Sequence, residues 1–205
     1  IEGASRFIGR VWRLFEDEKE RLLPLKACQA TADDAQTEEA RDLRRREHLT
    51  VKKCGEDMGD RFQFNTAIAA VMELVNAMYL SRDKLGTSEG ERRVFSSAMA
   101  SVLTLLSPIT PHVCEELWQR LGHSTALADE LLPAWDEAAT VQDMLTVALQ
   151  VNGKLRGTVQ IPAAADKAAM EQAALADSSV QRHIDGLTVR KVVVVPGKLV
   201  NIVAN

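Results

Sequence analysis

The stretch that decides the fold is LTVALQVNGKLRGTVQI, Leu145 to Ile161. Leu145, Val147, Leu149 and Val151 alternate with Thr146, Ala148 and Gln150, the two-residue period of a strand with one buried face. Asn152-Gly153 follows, and both residues tolerate the positive φ that a type I′ hairpin turn requires. Beyond the turn, Leu155, Gly157, Val159 and Ile161 alternate with Lys154, Arg156, Thr158 and Gln160. The period predicts the first set packed inward and Lys154 and Arg156 pointing outward, a basic tip on a small sheet.

Toward the C-terminus, Pro162 ends the second strand. Asp166 can cap a helix to about Ala176, and Asp177 can cap a short helix stopped by Gly186. Leu187 to Val195 is a Val-rich strand, Pro196-Gly197 a turn, and Leu199 to Val203 the last strand. The order ββα(α)ββ predicts a small α+β domain over 144–205 with its helices on one face of the sheet.

Toward the N-terminus the period changes to that of helices. Ile8, Val11, Trp12 and Phe15 mark a first helix over 4–23, broken by Pro24. Residues 26–37 lack an apolar stripe and read as a surface loop. A second helix is expected from about Glu38 to Asp60, with Leu43, Val51, Cys54 and Met58 inward; Glu47 falls on that same side and interrupts it. A third helix is expected from Asn65, as its cap, to about Arg82, with Ile68, Val71, Met72, Val75 and Tyr79 inward. Ser88 and Glu91 have capping-box spacing for a fourth helix. Thr110-Pro111 opens a fifth that closes at Gly122. Five amphipathic helices over 1–122 predict a bundle, and the aperiodic, acidic, Pro133-containing stretch 123–143 a linker.

Aromatic residues make up only 4% of the 205-residue chain, so both cores must be built from aliphatic side chains. No apolar run reaches the roughly 18 residues of a membrane span, and the start lacks the order of a secretory signal. Cys28, Cys54 and Cys114 have no paired spacing, which reads as thiols in a reducing cytosol. There is no phosphate-cradling glycine loop, GxSxG or HExxH. His112 and Cys114, two apart on a helix, do not share a face and make no metal site. These residues show no active site and describe a binding module or a piece of something larger.

The net charge of −4 is unevenly spread: residues 141–205 carry +2 and residues 1–140 carry −6. Lys154, Arg156, Arg190, Lys191 and Lys198 gather on the predicted sheet. Arg45, His48 and Lys52 fall at i, i+3 and i+7 on the second helix. Composition leaves two readings open for both sets: solvated faces, or patches that take phosphates.

LQVNGKLRGTVQIP followed by VRKVVVVPGKLVNIV closely resembles the C-terminal domain of bacterial leucyl-tRNA synthetases. FNTAIAAVMELVN with LSPITPHVCEELWQRLG resembles the helical anticodon-binding-type domain of the same family. The resemblance implies a C-terminal portion of a class I ligase that joins leucine to tRNA(Leu) in the cytoplasm. Its catalytic domain, with the HIGH and KMSKS signatures, would lie upstream. It implies no cofactor in this fragment, ATP and Mg²⁺ for the whole enzyme, a monomer, and no catalysis by these residues alone. It makes Lys154 and Arg156 the leading tRNA contacts, Arg190, Lys191 and Lys198 further ones, and Arg45, His48 and Lys52 contacts from the bundle. The alternative is a helical protein-interaction adaptor that binds no RNA.

Overall fold

The computed structural model describes residues 2–141, 144–163 and 165–205. Two compact units, Ile1–Val141 and Gln142–Asn205, make up the chain; it is a mixed helix-and-sheet protein.

In the first unit, α1 (Glu2–Glu18), α2 (Glu38–Gly55), α3 (Phe64–Ser81), α4 (Glu89–Leu106) and α5 (Pro111–Arg120) are followed by one short turn of helix, α6 (Glu137–Thr140). α4 is the central rod. Val94, Phe95, Ala98, Met99, Val102 and Leu103 are fully buried, and so are Ser96, Ser97 and Ser101 on its other side. A helix buried all round must satisfy its polar side chains internally. Ser96 Oγ accepts from the Leu23 N–H and donates to the Arg92 carbonyl. The local start signals of α4 hold: the Ser88 hydroxyl accepts from the Glu91 N–H. The expected cap of α3 does not. Gln63 precedes the helix, Asn65 lies within its first turn, and Gln63 makes no side-chain cap bond. The buried arc of α3 also differs from expectation. It runs through Ala67, Ala70, Val71, Leu74, Val75 and Met78, with small residues where neighbouring helices come close.

Two segments read as exposed connections are part of this unit. The loop 26–37 buries Ala30 and Ala35. The stretch 123–141, expected as a linker, is folded onto the helices: Leu127 is buried, its N–H donates to Glu115 Oε2, and Glu130 pairs with Lys26. Trp118 stacks on His123 at 3.6 Å between ring centroids, and its indole N–H donates to the Thr125 carbonyl. These are contacts of an irregular segment, one of them 104 residues apart in sequence, and no helical or strand period reports them. Residues 142–143 of the expected linker lie outside the described residues.

In the second unit, β1 (Met144–Val151), β2 (Lys154–Pro162), α7 (Lys167–Ala176), α8 (Ser178–Ile184), β3 (Val189–Val195) and β4 (Leu199–Ala204) form one four-stranded sheet with two helices. The strand order is β2-β1-β4-β3; β1 runs antiparallel to β2 and parallel to β4, and β3 and β4 are antiparallel. Val147, Leu149, Val151, Ile161, Val200 and Ile202 pack with Met170, Ala174 and Val180 of the helices. The caps act as their residue types predict: Asp166 accepts from the Ala169 N–H, and Asp177 from those of Ser179 and Val180. Asn152 at φ 50° and Gly153 at φ 76° make the hairpin turn. Its amide clamps the end of β4 by donating to the Ala204 carbonyl and accepting from the Ala204 N–H.

The alternation in β2 breaks where the sequence gives no warning. Leu149 pairs with Gly157 but Gln150 pairs with Leu155, so Arg156 is an extra residue in a β-bulge. Residues directly opposite share a face. Leu155 therefore lies with Gln150 on the open face, 63% exposed, instead of inward. Lys154 lies opposite Val151, on the helix side of the strand end. The expectation that Leu155 packs inward while Lys154 points away from the helices is corrected by that one extra residue.

Candidate nucleic-acid interface

Among the described residues, the carboxylates of the second unit lie on or beside its helices, which also carry Lys167 and Arg182. Its strands and the β3–β4 turn carry Lys154, Arg156, Arg190, Lys191 and Lys198 and no carboxylate. Asp166, Glu171, Asp177 and Asp185 lie on or beside the helices. Among the described residues none of the five cations is in an ion pair. The Arg190 guanidinium donates to the Asn205 side chain at 2.7 Å. Arg156 is half-buried, and its Nε–H is buried without a partner among the described residues.

The register fixes where these groups stand. β2 and β3 are the two edge strands, three inter-strand spacings or roughly 14 Å apart. Both are bulged, at Arg156 in β2 and at Arg190, between Val189 and Lys191, in β3. Lys154 beside the hairpin turn, Lys191 opposite Val203 and the bulged Arg190 before it come to the same end of the sheet. Lys191 shares the open face with Val203, whereas Lys154 shares the helix face with Val151. The cations thus rim one end of the sheet along both edges rather than covering one face. Lys198 precedes Leu199 at the start of β4, about five residues or roughly 17 Å from that end. It does not belong to the same cluster.

The second expected patch is not a free surface. His48 is 1% exposed. Its Nδ1 accepts the Asp136 backbone N–H at 3.0 Å, which places the proton of the neutral ring on Nε2. Burial, aided by the neighbouring Arg44 charge, lowers its pKa to about 4. Arg45 pairs with Asp42. Lys52 pairs with Glu137 at 2.8 Å and lies over the Trp135 ring. Arg44 donates to the Asp136 carboxylate, and that bond is the main cause holding Asp136 below the usual carboxylate range. The i, i+3, i+7 spacing puts these residues on one face of α2; the strap 130–141 folds over that face and engages His48 and Lys52, while Arg45 pairs within α2.

Next to His48, Glu47 resolves the interruption in the apolar stripe. It is fully buried, and Oε1 accepts from the Cys28 N–H at 2.9 Å, Ser97 Oγ at 2.8 Å and Ser101 Oγ at 2.6 Å. Ser97 Oγ in turn accepts from the N–H groups of Gln29 and Ala30. This carboxyl therefore ties the loop 26–37 to α4. Burial pushes its pKa up, against the hydrogen bonds from Ser101, Cys28 and Ser97. Burial likewise raises the Cys28 thiol pKa, with Glu47 adding to the effect; Cys54 and Cys114 are buried. No group of His, Cys, Asp or Glu suited to a metal ion occurs among the described residues. No described helix is long and apolar enough to cross a membrane.

Residues 40–171 match the family model for the anticodon-binding domain of tRNA ligase. The chain belongs to that family. It is 60% identical over 203 residues to the leucine–tRNA ligase of Nitratidesulfovibrio vulgaris (strain Miyazaki F), covering 99% of this chain and 24% of that protein. It is 48% identical to the leucine–tRNA ligase of Pseudomonas putida (strain GB-1), covering all of this chain and 23% of the other. The chain thus spans about a quarter of the length of these relatives. Among solved structures, a LeuRS of Agrobacterium radiobacter K84 (agnB2), in a ternary complex with tRNA and LeuAMS, matches with a TM-score of 0.72. It is 29% identical, and the match covers all of this chain and 26% of that one.

Proposed function

We propose that this chain is the tRNA-handling C-terminal portion of a leucyl-tRNA synthetase. It holds the body of tRNA(Leu) so that the acceptor end reaches a catalytic domain outside these residues. The reading is carried by identity of 60% to a leucine–tRNA ligase over nearly the whole chain. The cations of the sheet supply the physical means. ATP and Mg²⁺ serve the whole enzyme, in leucine activation; these residues bind and orient and do no chemistry themselves. The protein is a cytoplasmic monomer.

The division of labour follows from the charges. Lys154, Arg156, Arg190 and Lys191 neutralise phosphates near one end of the sheet, releasing counterions and making affinity fall with salt. Lys198 touches a second, more distant phosphate. Domain 144–205 provides this grip, and the five-helix bundle contributes shape with few free cations. His48 and Lys52 support binding indirectly, by keeping the strap in place, while Arg45 is held by Asp42 within α2. Holding a large substrate by its body lowers the entropic cost of presenting its end to distant chemistry.

Filter binding of a tRNA(Leu) transcript tests the reading. The Lys154→Ala/Arg156→Ala double variant is expected to bind about tenfold more weakly at 100 mM salt, with a salt slope shallower by about 1.5. Its thermal melt should be unchanged. Equal affinity for wild type and variant would refute the assignment. Retention of a partner protein but of no tRNA would favour the adaptor.

A further inference from the structure

We infer that the corner where α2 turns into α3 is a docking surface for the catalytic portion of the ligase, which receives Phe62 and Phe64 against an apolar patch of its own. This rests on the reading above of a catalytic domain outside these residues and ahead of them in the chain. It adds an interface within the protein that phosphate binding does not require.

The chain has five phenylalanines. Phe7, Phe15 and Phe95 are buried in the bundle, whereas Phe62 is 74% and Phe64 47% exposed. The two exposed rings line one shallow cleft of about 430 Å³ with Gln63, Asn65 and Thr66. Single exposed apolar residues are ordinary, but two of the largest lining one cleft mark a contact surface.

The turn that presents them is held rigidly. α2 runs into a π-helical turn, Glu56–Asp60, a form met mostly at functional sites. Phe62 then stands at φ 55°. A bulky side chain rarely enters the left-handed region, and such strain persists only where surrounding bonds enforce it. Here the Asp57 carbonyl accepts the Gln63 N–H at 2.7 Å, and the Glu56 carbonyl accepts the Arg61 N–H. The buried Asp57 carboxylate accepts from Lys53 and Arg61. The backbone thus keeps the Phe62 ring in solvent.

Position and charge identify the occupant. α1 and α3 run parallel, because Arg10 bonds with Asn76 and Tyr79 while Arg21 bonds to the Arg82 carbonyl. The first turn of α3, with Phe64, therefore lies at the end of the bundle where α1 begins. A catalytic domain ahead of α1 joins the bundle at that same end. The relatives carry about three quarters of their length outside the matched region, a body about three times the size of this chain. Residues 53–66 hold Lys53 and Arg61 against Glu56, Asp57 and Asp60, and both cations pair with Asp57. A net-negative corner whose cations are engaged repels phosphates, which argues against stacking on nucleobases. Exposed aromatic rings without free charge match the apolar centre of a protein–protein interface.

Hydrogen exchange tests the surface without any substitution. In the whole ligase the amides of residues 61–66 should exchange about tenfold more slowly than in the 205-residue chain. Variants test its use. Phe62→Gly should not lower the melting temperature of the 205-residue chain, because glycine adopts this φ freely. That variant should also keep wild-type affinity for a tRNA(Leu) transcript. In the whole ligase, Phe62→Gly/Phe64→Ser should lower the leucylation rate about tenfold, because the bundle no longer holds the tRNA in line with the active site. Leucine activation, followed by ATP–pyrophosphate exchange without tRNA, should be unchanged. Equal exchange rates in the two proteins, or wild-type leucylation by the double variant, would overturn the inference and leave the tRNA reading intact. Weaker transcript binding by the Phe62→Gly chain would overturn it in favour of a stacking contact with RNA. Failure of the wild-type chain to retain the transcript would overturn the tRNA reading, and protection of residues 61–66 would still establish the interface.

Discussion

The two units use charge in opposite ways. In the helical unit Arg21, Arg44, Arg45, Arg93, Arg120 and Lys52 are all in ion pairs, several reaching across the fold to Glu16, Asp34, Asp136 or Glu137. In the sheet unit no ion pair occurs among the described residues, and five of its seven cations stand on the strands and the β3–β4 turn, which carry no carboxylate. Counting basic residues would rank the helical unit as the stronger anion binder; following their partners reverses the order. A cation whose partner is already present must break that bond to meet a phosphate. A solvated lysine gives up only water and counterions.

That comparison can be broken at several points. The largest effect is expected at Glu47, which looks like a misplaced surface charge in the sequence and is an internal tie in the fold. Glu47→Ala should cost about 3 kcal/mol in denaturant unfolding, because it leaves the Cys28 N–H without its acceptor and opens a buried space. A loss below about 1 kcal/mol would show that the loop 26–37 is held by other contacts.

Next in size is a pH effect of defined sign. Glu47 has a raised pKa in the folded protein. Its contribution is complete below the ordinary unfolded value of about 4.5 and is lost as pH climbs through the raised folded value. Glu47→Gln keeps an acceptor and cannot ionise. The melting temperature of Glu47→Gln relative to wild type should therefore increase with pH above about 4.5. A difference independent of pH would mean that Glu47 titrates normally.

His48 works in the other direction. Its folded pKa is lowered to about 4. The stability it contributes is present above the unfolded value of roughly 6.5 and is lost as pH falls through the folded value. His48→Asn can still accept the Asp136 N–H. It should remove the part of the acid destabilisation lying between those two pH values, as read by melts at pH 7, 6, 5 and 4. An unchanged profile would mean that the ring does not titrate in that window. The smallest effect is expected from Lys52→Ala. Loss of a half-exposed pair with Glu137 should change stability by less than about 1 kcal/mol. It should leave tRNA affinity within about twofold, since this cation is already engaged. A tenfold loss would place the helical face back among the RNA contacts.

Legibility follows the range of the interactions. The Asn152-Gly153 turn and the caps at Asp166 and Asp177 were readable because each is satisfied within a few residues. The burial of Glu47 was not, since its partners come from residues 28, 97 and 101. The face shared by Arg45, His48 and Lys52 was visible in their spacing. Its cover was not, because the strap lies some 85 residues further on. The bulge at Arg156 is a property of strand pairing, and alternation alone put Leu155 on the wrong face. The five cations of the sheet could be found in sequence; that Lys198 stands at the other end of β4 required the register.

The most direct test is the salt dependence of tRNA(Leu) binding by the 205-residue chain and by its Lys154→Ala/Arg156→Ala/Arg190→Ala/Lys191→Ala variant. Four lost phosphate contacts should lower the slope of log K against log salt by about 3, at roughly 0.7–0.9 per contact. Equal slopes for the two proteins would contradict the account, because the cations of the sheet would then not be the groups that meet the RNA.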